Sequence, residues 1–265
     1  EYIIEHKNKP RTNKECYVNL ENFDYQGGLF PNDVPEKNTY KDDLGNSKEG
    51  VYIPETGDIT FEVEVDTAGL YNISISYYTI LGRGASVNKG IKINGEYQFL
   101  ETERINFNRF WEDEFKVSDR RIKGVDDLRP SQMEKHLWAT DVVEDNMGYY
   151  DIPYYFNFKK GLNTITLVSH REPIVIGEIK LHQHKQTQSY AEYLNSKANI
   201  PVINNNFNVT IQAEEAYLKS SPTLNPTAEF STYKYEPYER YINKYNAIGG
   251  YNWRIPGEEI SWQVE

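Results

Sequence analysis

The chain has a single cysteine, Cys16, in 265 residues, so neither an intrachain disulfide nor a thiolate zinc cluster can form. This scarcity is neutral about compartment, because bacterial surface proteins and cytosolic proteins both commonly lack disulfides. No stretch approaches twenty apolar residues, which excludes a helical membrane span. Cations are also scarce: 29 Lys and Arg against 40 Asp and Glu leave a formal net charge of -11. Phosphate affinity comes from clustered Lys and Arg that release counterions, so no nucleic-acid partner is expected, and an anionic membrane surface is disfavoured for the same reason. Phosphate-loop and nucleophile signatures are missing too. Gly82-Arg83-Gly84 lacks a strand-to-helix context, and Ser169-His170 with Glu172 forms no nucleophile elbow. His182 and His184 share one strand face without an evident third ligand, while His6, His136 and His170 are scattered. Glu1 opens no signal peptide and Glu265 falls within a strand pattern, so the expectation is a piece of something larger with its targeting segment removed.

What the chain does have is aromatic rings and a repeat. Aromatic residues make up 14%, with 22 Tyr and 4 Trp, in a chain whose mean hydropathy is only -0.74. Many rings must therefore sit on strands with one edge facing water, which suits a β protein that binds something flat. The run Val51-Tyr52-Ile53-Pro54-Glu55-Thr56-Gly57-Asp58-Ile59-Thr60-Phe61-Glu62-Val63-Glu64 returns as Trp253-Arg254-Ile255-Pro256-Gly257-Glu258-Glu259-Ile260-Ser261-Trp262-Gln263-Val264-Glu265. An earlier run, Val18 to Tyr25, returns in the same order as Ile211 to Tyr217. The chain thus reads as one module and the start of another, an arrangement typical of proteins that bind and display.

Strand signals dominate the pass along the chain. Ile59 to Val65 alternates apolar and polar residues, Asp66-Thr67-Ala68-Gly69 reads as a turn, and Leu70 to Tyr78 alternates again, which together predict an antiparallel hairpin. Asn94-Gly95 is the strongest local turn cue. Leu162 to Val168 and Ile174 to Leu181 read as further strands. Ser118 to Tyr150 is too long for an ordinary hairpin loop and is either a functional loop or a packed cover. Gln188 to Leu194 can form a short helix, and Asn195 to Asn208, with Pro201 and Asn204-Asn205-Asn206, marks a linker.

Glu21, Val65-Asp66-Thr67-Ala68-Gly69-Leu70-Tyr71-Asn72-Ile73, Ile93-Asn94-Gly95, Lys160-Gly161-Leu162-Asn163-Thr164-Ile165 and Ile176-Gly177-Glu178-Ile179-Lys180-Leu181 resemble the galactose-binding-like β-sandwich. More narrowly, over residues 16 to 185, they resemble carbohydrate-binding modules of families 6 and 35. Asp126-Asp127-Leu128-Arg129-Pro130-Ser131-Gln132, Trp138 and Ser189-Tyr190-Ala191-Glu192-Tyr193-Leu194 also resemble the large extracellular solute-binding proteins of bacterial ABC transporters. The resemblance implies an all-β antiparallel jelly-roll sandwich over residues 1–187. A helical linker over 188–207 and the truncated opening of a second similar module over 208–265 would follow. Unpaired strands seek partners, so 208–265 is expected to dock on the first module or to pair with another chain. The resemblance also implies a structural calcium held by Glu21, after Asn19, and by Glu178, with Gln212 and Glu214 matching in the second module. Asn19 departs from the family in charge and Glu178 in length, so solvated strand-end acids are the competing reading.

Sugar recognition needs a flat apolar ring against the C–H face of a pyranose, with carboxylates, amides or Arg beside it for the hydroxyls. Asn106 to Asp113 supplies that mixture, as does Arg129 to Tyr150. The candidate contacts are Trp111, Trp138, Tyr149, Arg129 and Asp141. The bland reading is that these rings plug the end of the sandwich. Glu112, Asp113, Glu114, Asp126, Asp127 and Asp141 could pair for glycoside hydrolysis, but among 40 acids local pairs arise by accident. Asn72-Ile73-Ser74 and Asn208-Val209-Thr210 are glycosylation sequons that mean little in a bacterial protein.

The expected function is non-catalytic recognition of a glycan at a bacterial surface, within the accessory portion of a lipid-anchored solute-binding protein that works with an ABC permease. A structural or protein-interaction spacer and an accessory part of a polysaccharide-degrading enzyme are the alternatives.

Overall fold

The computed structural model describes residues 2–120, 126–150, 152–185, 188–199, 209–228 and 244–264. Its first elements are α1 (Tyr2–His6), β1 (Cys16–Tyr17), β2 (Asn19–Gln26), β3 (Glu36–Lys41), β4 (Ser47–Ile53), β5 (Asp58–Val65), β6 (Gly69–Tyr78), β7 (Val87–Ile93), β8 (Ile105–Phe107) and β9 (Phe110–Asp113). There follow β10 (Gln132–Lys135), β11 (Trp138–Val142), β12 (Phe156–Phe158), β13 (Gly161–Arg171), β14 (Ile174–His182), α2 (Tyr190–Lys197), β15 (Leu218–Lys219), β16 (Pro226–Thr227), β17 (Ala247–Ile248) and β18 (Ile260–Ser261).

Two antiparallel sheets form the sandwich. A seven-stranded sheet runs β11-β6-β14-β4-β3, with β1 added beside β14 and β12 beside β6; a five-stranded sheet runs β2-β5-β13-β7-β8. The period-two patterns become buried rows. Ile59, Phe61, Val63 and Val65 of β5 are buried while Glu62 and Glu64 face water. They meet Ile73, Ile75 and Tyr77 of β6 and Ile176 and Ile179 of β14 in one core. Each such side chain removed from water contributes about 1.5–3 kcal/mol, and this row-to-row contact holds the sheets together. The jelly-roll sandwich implied by the resemblance is the fold observed.

One local expectation is corrected. β5 and β6 do not pair as a hairpin: β5 lies between β2 and β13, and β6 between β14 and the strands β11 and β12 of the other sheet. The turn at Asp66 to Ala68 carries the chain from one sheet to the other. Alternation tells which face of a strand is buried, whereas the neighbour that strand takes is decided by long-range pairing. Gly69, which opens β6, is needed there because a Cβ would lie 2.4 Å from the Pro10 carbonyl oxygen. That oxygen accepts from the Leu70 N–H at 2.9 Å and ties the N-terminal segment to the sheet.

The Asn-Gly cue holds: Asn94 (φ 53) and Gly95 (φ 87) form a tight turn in which Ile93 and Glu96 exchange backbone hydrogen bonds. The described residues of the long segment 118–150, expected as a functional loop or a packed cover, include paired strands. They contribute β11, which pairs with β6 from Trp138↔Tyr78 to Val142↔Ser74, and β10, which pairs with β9. The helix expected near Gln188 to Leu194 is α2, opened by a capping box in which Ser189 and Glu192 satisfy each other's backbone N–H groups. Pro201, Asn204 to Asn206 and Asn208 lie outside the described residues. Among the described residues no helix is long and apolar enough to cross a membrane.

Phe61 is fully buried, facing Phe23 at 6.1 Å between ring centroids. Phe61→Ala is expected to destabilise the fold by about 3–5 kcal/mol in urea denaturation; a loss under about 1 kcal/mol, the cost of an ordinary substitution, would contradict the assigned core.

Candidate functional site

The expected site residues do not converge on one place. Residues directly opposite in an antiparallel pair share a face, so the pairing of Trp138 with Tyr78 and of Asp141 with Ile75 assigns Trp138 and Asp141 to opposite faces of β11. Trp138 is on the outer face, laid across the sheet where two glycines make room. A Cβ on Gly177 would come within 2.7 Å of its ring, and one on Gly50 within 3.0 Å. Its Nε1–H donates to the Tyr40 carbonyl at 3.1 Å, Tyr78 stacks at 5.4 Å between centroids, and the Lys48 ammonium sits 5.6 Å away. Tyr149 is 78% exposed and Arg129 is exposed in the stretch before β10; neither borders the cleft described next.

Trp111 and Asp141 do share a cleft. It has a volume of about 640 Å³, within the roughly 300–1,000 Å³ of small-molecule sites. One wall is Asn106 to Arg109 and Trp111, from β8, its turn and β9; another is Thr140 to Asn146, from the end of β11 onward. The third wall comes from the C-terminal segment, Ser220 to Pro222 and Ile255 to Glu259. This third wall was missed in the sequence. Its Ile255 to Glu259 part belongs to the second copy of the repeat, and only the Pro-Gly turn, matching Pro54 to Gly57, marks it there.

The C-terminal segment reaches this position by strand addition. Lys219 of β15 pairs with Trp111 of β9, and β18 pairs with β15, giving the four-stranded order β10-β9-β15-β18. The buried Lys219 ammonium meets Asp113 Oδ1 at 2.5 Å. Burial lowers the pKa of Lys219, and the Asp113 carboxylate opposes that shift. Lys244 reaches Asp127 Oδ1 at 3.2 Å, and the Tyr245 N–H donates to Asp127 Oδ2 at 3.1 Å. Across the cleft, Asn108 Nδ2 donates to the Gly257 carbonyl at 3.4 Å.

The cleft is acidic. Asp141 Oδ2 accepts from the Tyr77 hydroxyl at 2.7 Å; the surrounding protein raises the Asp141 carboxyl above the usual range and the Tyr77 bond partly offsets this. Glu144 is also raised, first by burial and then by the Asp141 charge. Burial would raise Asp145 as well, but backbone N–H groups of Met147, Tyr150 and Tyr149 outweigh it and hold the carboxyl low. Among the described residues the only Lys or Arg bordering the cleft, Arg109, is 3% exposed and already committed. It donates to Ala85 O at 2.7 Å, to Ile80 O at 2.9 Å, to Glu172 at 3.0 Å and to Glu134.

The calcium expectation does not fit the residues present. Glu21 forms an ion pair with Lys37, whose ammonium also reaches Glu49 at 3.2 Å, so the Glu21 carboxylate already has a positive partner. Glu178 is exposed on β14 opposite Ser76. Among the described residues no group of three or more His, Cys, Asp or Glu side chains is arranged to hold a metal.

No protein-family model matches the sequence, and no curated protein does. Among solved structures, a family 35 carbohydrate-binding module from Clostridium thermocellum is 13% identical with a TM-score of 0.31, over 64% of this chain and 99% of that one. The CBM35 from Cellvibrio japonicus is 11% identical with a TM-score of 0.31, over 65% of this chain and 95% of that one. The match to the Podospora anserina GH26-CBM35 β-(1,4)-mannanase, 13% identical with a TM-score of 0.32, covers 63% of this chain and 28% of the mannanase. At such scores these likenesses carry no inference about ligand, and the fold stands on its own strand pairing.

Two outcomes test this geometry. Lys219→Ala would leave the Asp113 carboxylate buried without its counter-charge, a loss of about 3–5 kcal/mol for such pairs; limited proteolysis should then remove the C-terminal segment faster than from the parent protein, and equal rates would contradict the docking. Calcium is expected to leave the melting temperature unchanged; a rise that a chelator reverses would show that Glu21 and Glu178 are used differently.

Proposed function

We propose that the protein is a non-catalytic module that recognises a carbohydrate in the cleft between β8, β9, β11 and the C-terminal segment. The observation that carries this reading is the placement of the Trp111 ring beside Asn106, Asn108 and Asp141 in one open cleft. An indole offers the flat apolar surface a pyranose face needs, and the amides and carboxylate offer acceptors and donors for its hydroxyls. The resemblance of the strand motifs to carbohydrate-binding modules agrees with it. Single-site affinity is weak, because hydroxyls exchange water bonds for protein bonds at little net gain. A second copy of the module would offset that through effective concentration.

The finer reading places the module outside a bacterial cell, as part of a lipid-anchored solute-binding protein that delivers sugar to an ABC permease. It is supported by the resemblance of Asp126 to Gln132, Trp138 and Ser189 to Leu194 alone. Self-association through residues 208–265 becomes the weaker part of the proposal, since β15 already pairs within the chain.

Titration calorimetry against a panel of oligosaccharides tests the reading. Trp111→Ala is expected to reduce affinity by at least about tenfold, the loss of 1.4 kcal/mol, whereas Trp138→Phe leaves it unchanged. Loss of binding in Trp138→Phe with Trp111→Ala unaffected would move the site to the outer face, and release of shorter sugars would favour an enzyme.

A further inference from the structure

The acidity of the cleft has no counterpart in what a neutral sugar requires. Asp141, Glu144, Glu258 and Glu259 all border it beside Trp111. They lie close enough to act on one another: Asp141 and Glu259 both raise the Glu144 carboxyl. Asp145 is excluded from this set because both its oxygens are engaged by backbone N–H groups of its own loop. Glu258 adds a second observation, since its Oε1 is buried and has no hydrogen-bond partner among the described residues. A buried carboxylate oxygen without a donor is costly, and a shift of the Glu258 side chain toward a donor entering the cleft relieves that cost.

Among the described residues lining the cleft, no Lys or Arg besides Arg109 offers a compensating charge. The Arg109 guanidinium is shared between Glu134 and Glu172 and two backbone carbonyls. A uronic acid would therefore bring its carboxylate to a site with several acids and, among the described lining residues, no uncommitted Lys or Arg, inside a chain of net charge -11. Like charges in a partly desolvated cleft repel, which works as selection against such ligands. A protonated amine is the complementary group: three N–H donors on a compact positive charge, able to bond several carboxylate oxygens at once.

Resting on the carbohydrate reading above, we infer that the preferred ligand is an amino sugar with a free ammonium group, stacked on Trp111 with its amine directed toward Asp141, Glu144 and Glu258. Neutral sugars bind more weakly and uronic acids not at all. The carboxylates here bind; they take no part in bond cleavage.

Calorimetry at neutral pH and low salt with three probes tests this: fully deacetylated chitosan oligosaccharides, the same oligomers fully N-acetylated, and oligogalacturonate. The deacetylated probe is expected to bind at least about tenfold more tightly than the acetylated one, with the difference shrinking as salt screens the charges. Glu144→Gln, at a solvent-exposed residue, should narrow that gap by weakening the deacetylated probe more than the acetylated one; Trp111→Ala should weaken both. Equal affinity for the two chitosan forms, or preference for oligogalacturonate, overturns the amino-sugar inference and leaves carbohydrate recognition intact. Binding of none of the probes, nor of any sugar in a wider panel, overturns the underlying reading. Oligolysine that binds as tightly as the deacetylated probe and is insensitive to Trp111→Ala also overturns the inference, by showing that the cleft attracts cations without recognising a sugar.

Discussion

The structure depends on rows of alternate apolar side chains from two antiparallel sheets meeting face to face. Ile59, Phe61, Val63 and Val65 on one sheet and Ile73, Ile75 and Tyr77 on the other are consecutive in sequence, yet they approach the core from opposite sides. That constraint compels the chain to change sheets at Asp66 to Ala68. It also leaves the β8–β9 turn and the end of β11 projecting at one margin of the sandwich. Exposed side chains there can vary, while buried Arg109 in the turn and Val143 after β11 anchor both segments to the sandwich.

The cleft is a consequence of an unfilled strand edge. β9, paired with β10 on one side, would otherwise offer unsatisfied N–H and C=O groups along its other side. β15 occupies that edge, the Lys219 and Asp113 charges fix it, and β18 follows. The repeated Pro-Gly turn carried by this addition then forms a wall facing Asp141 and Glu144. The second copy of the repeat does something the first does not: Pro54 receives the buried Lys89 and the Ser169 hydroxyl within the sandwich, while Pro256 borders the cleft.

Much of the fold could be read from the residues, because burial and tight turns are local signals. The alternation of β5, the Asn94-Gly95 turn and the Ser189 capping box each lie within a few residues of sequence. The site was only partly readable. Trp111 and Asp141 belong to the cleft, but Trp138 differs from Asp141 by an odd number of positions along β11, and that parity sends its ring to the other face. Which face matters depends on the register with β6, set some sixty residues earlier. The surroundings of Glu21 rest on a similar remote fact, the arrival of Lys37 from β3 beside Glu21 and Glu49.

The central claim is that Trp111, and not Trp138, faces the ligand. With only 4 Trp in the chain, the indole N–H signals in a nitrogen–proton correlation spectrum can be assigned by single substitution. During titration with a bound oligosaccharide, the Trp111 signal is predicted to move progressively to saturation while the Trp138 signal, tied to the Tyr40 carbonyl, stays in place. Movement of Trp138 with Trp111 unchanged would contradict the account.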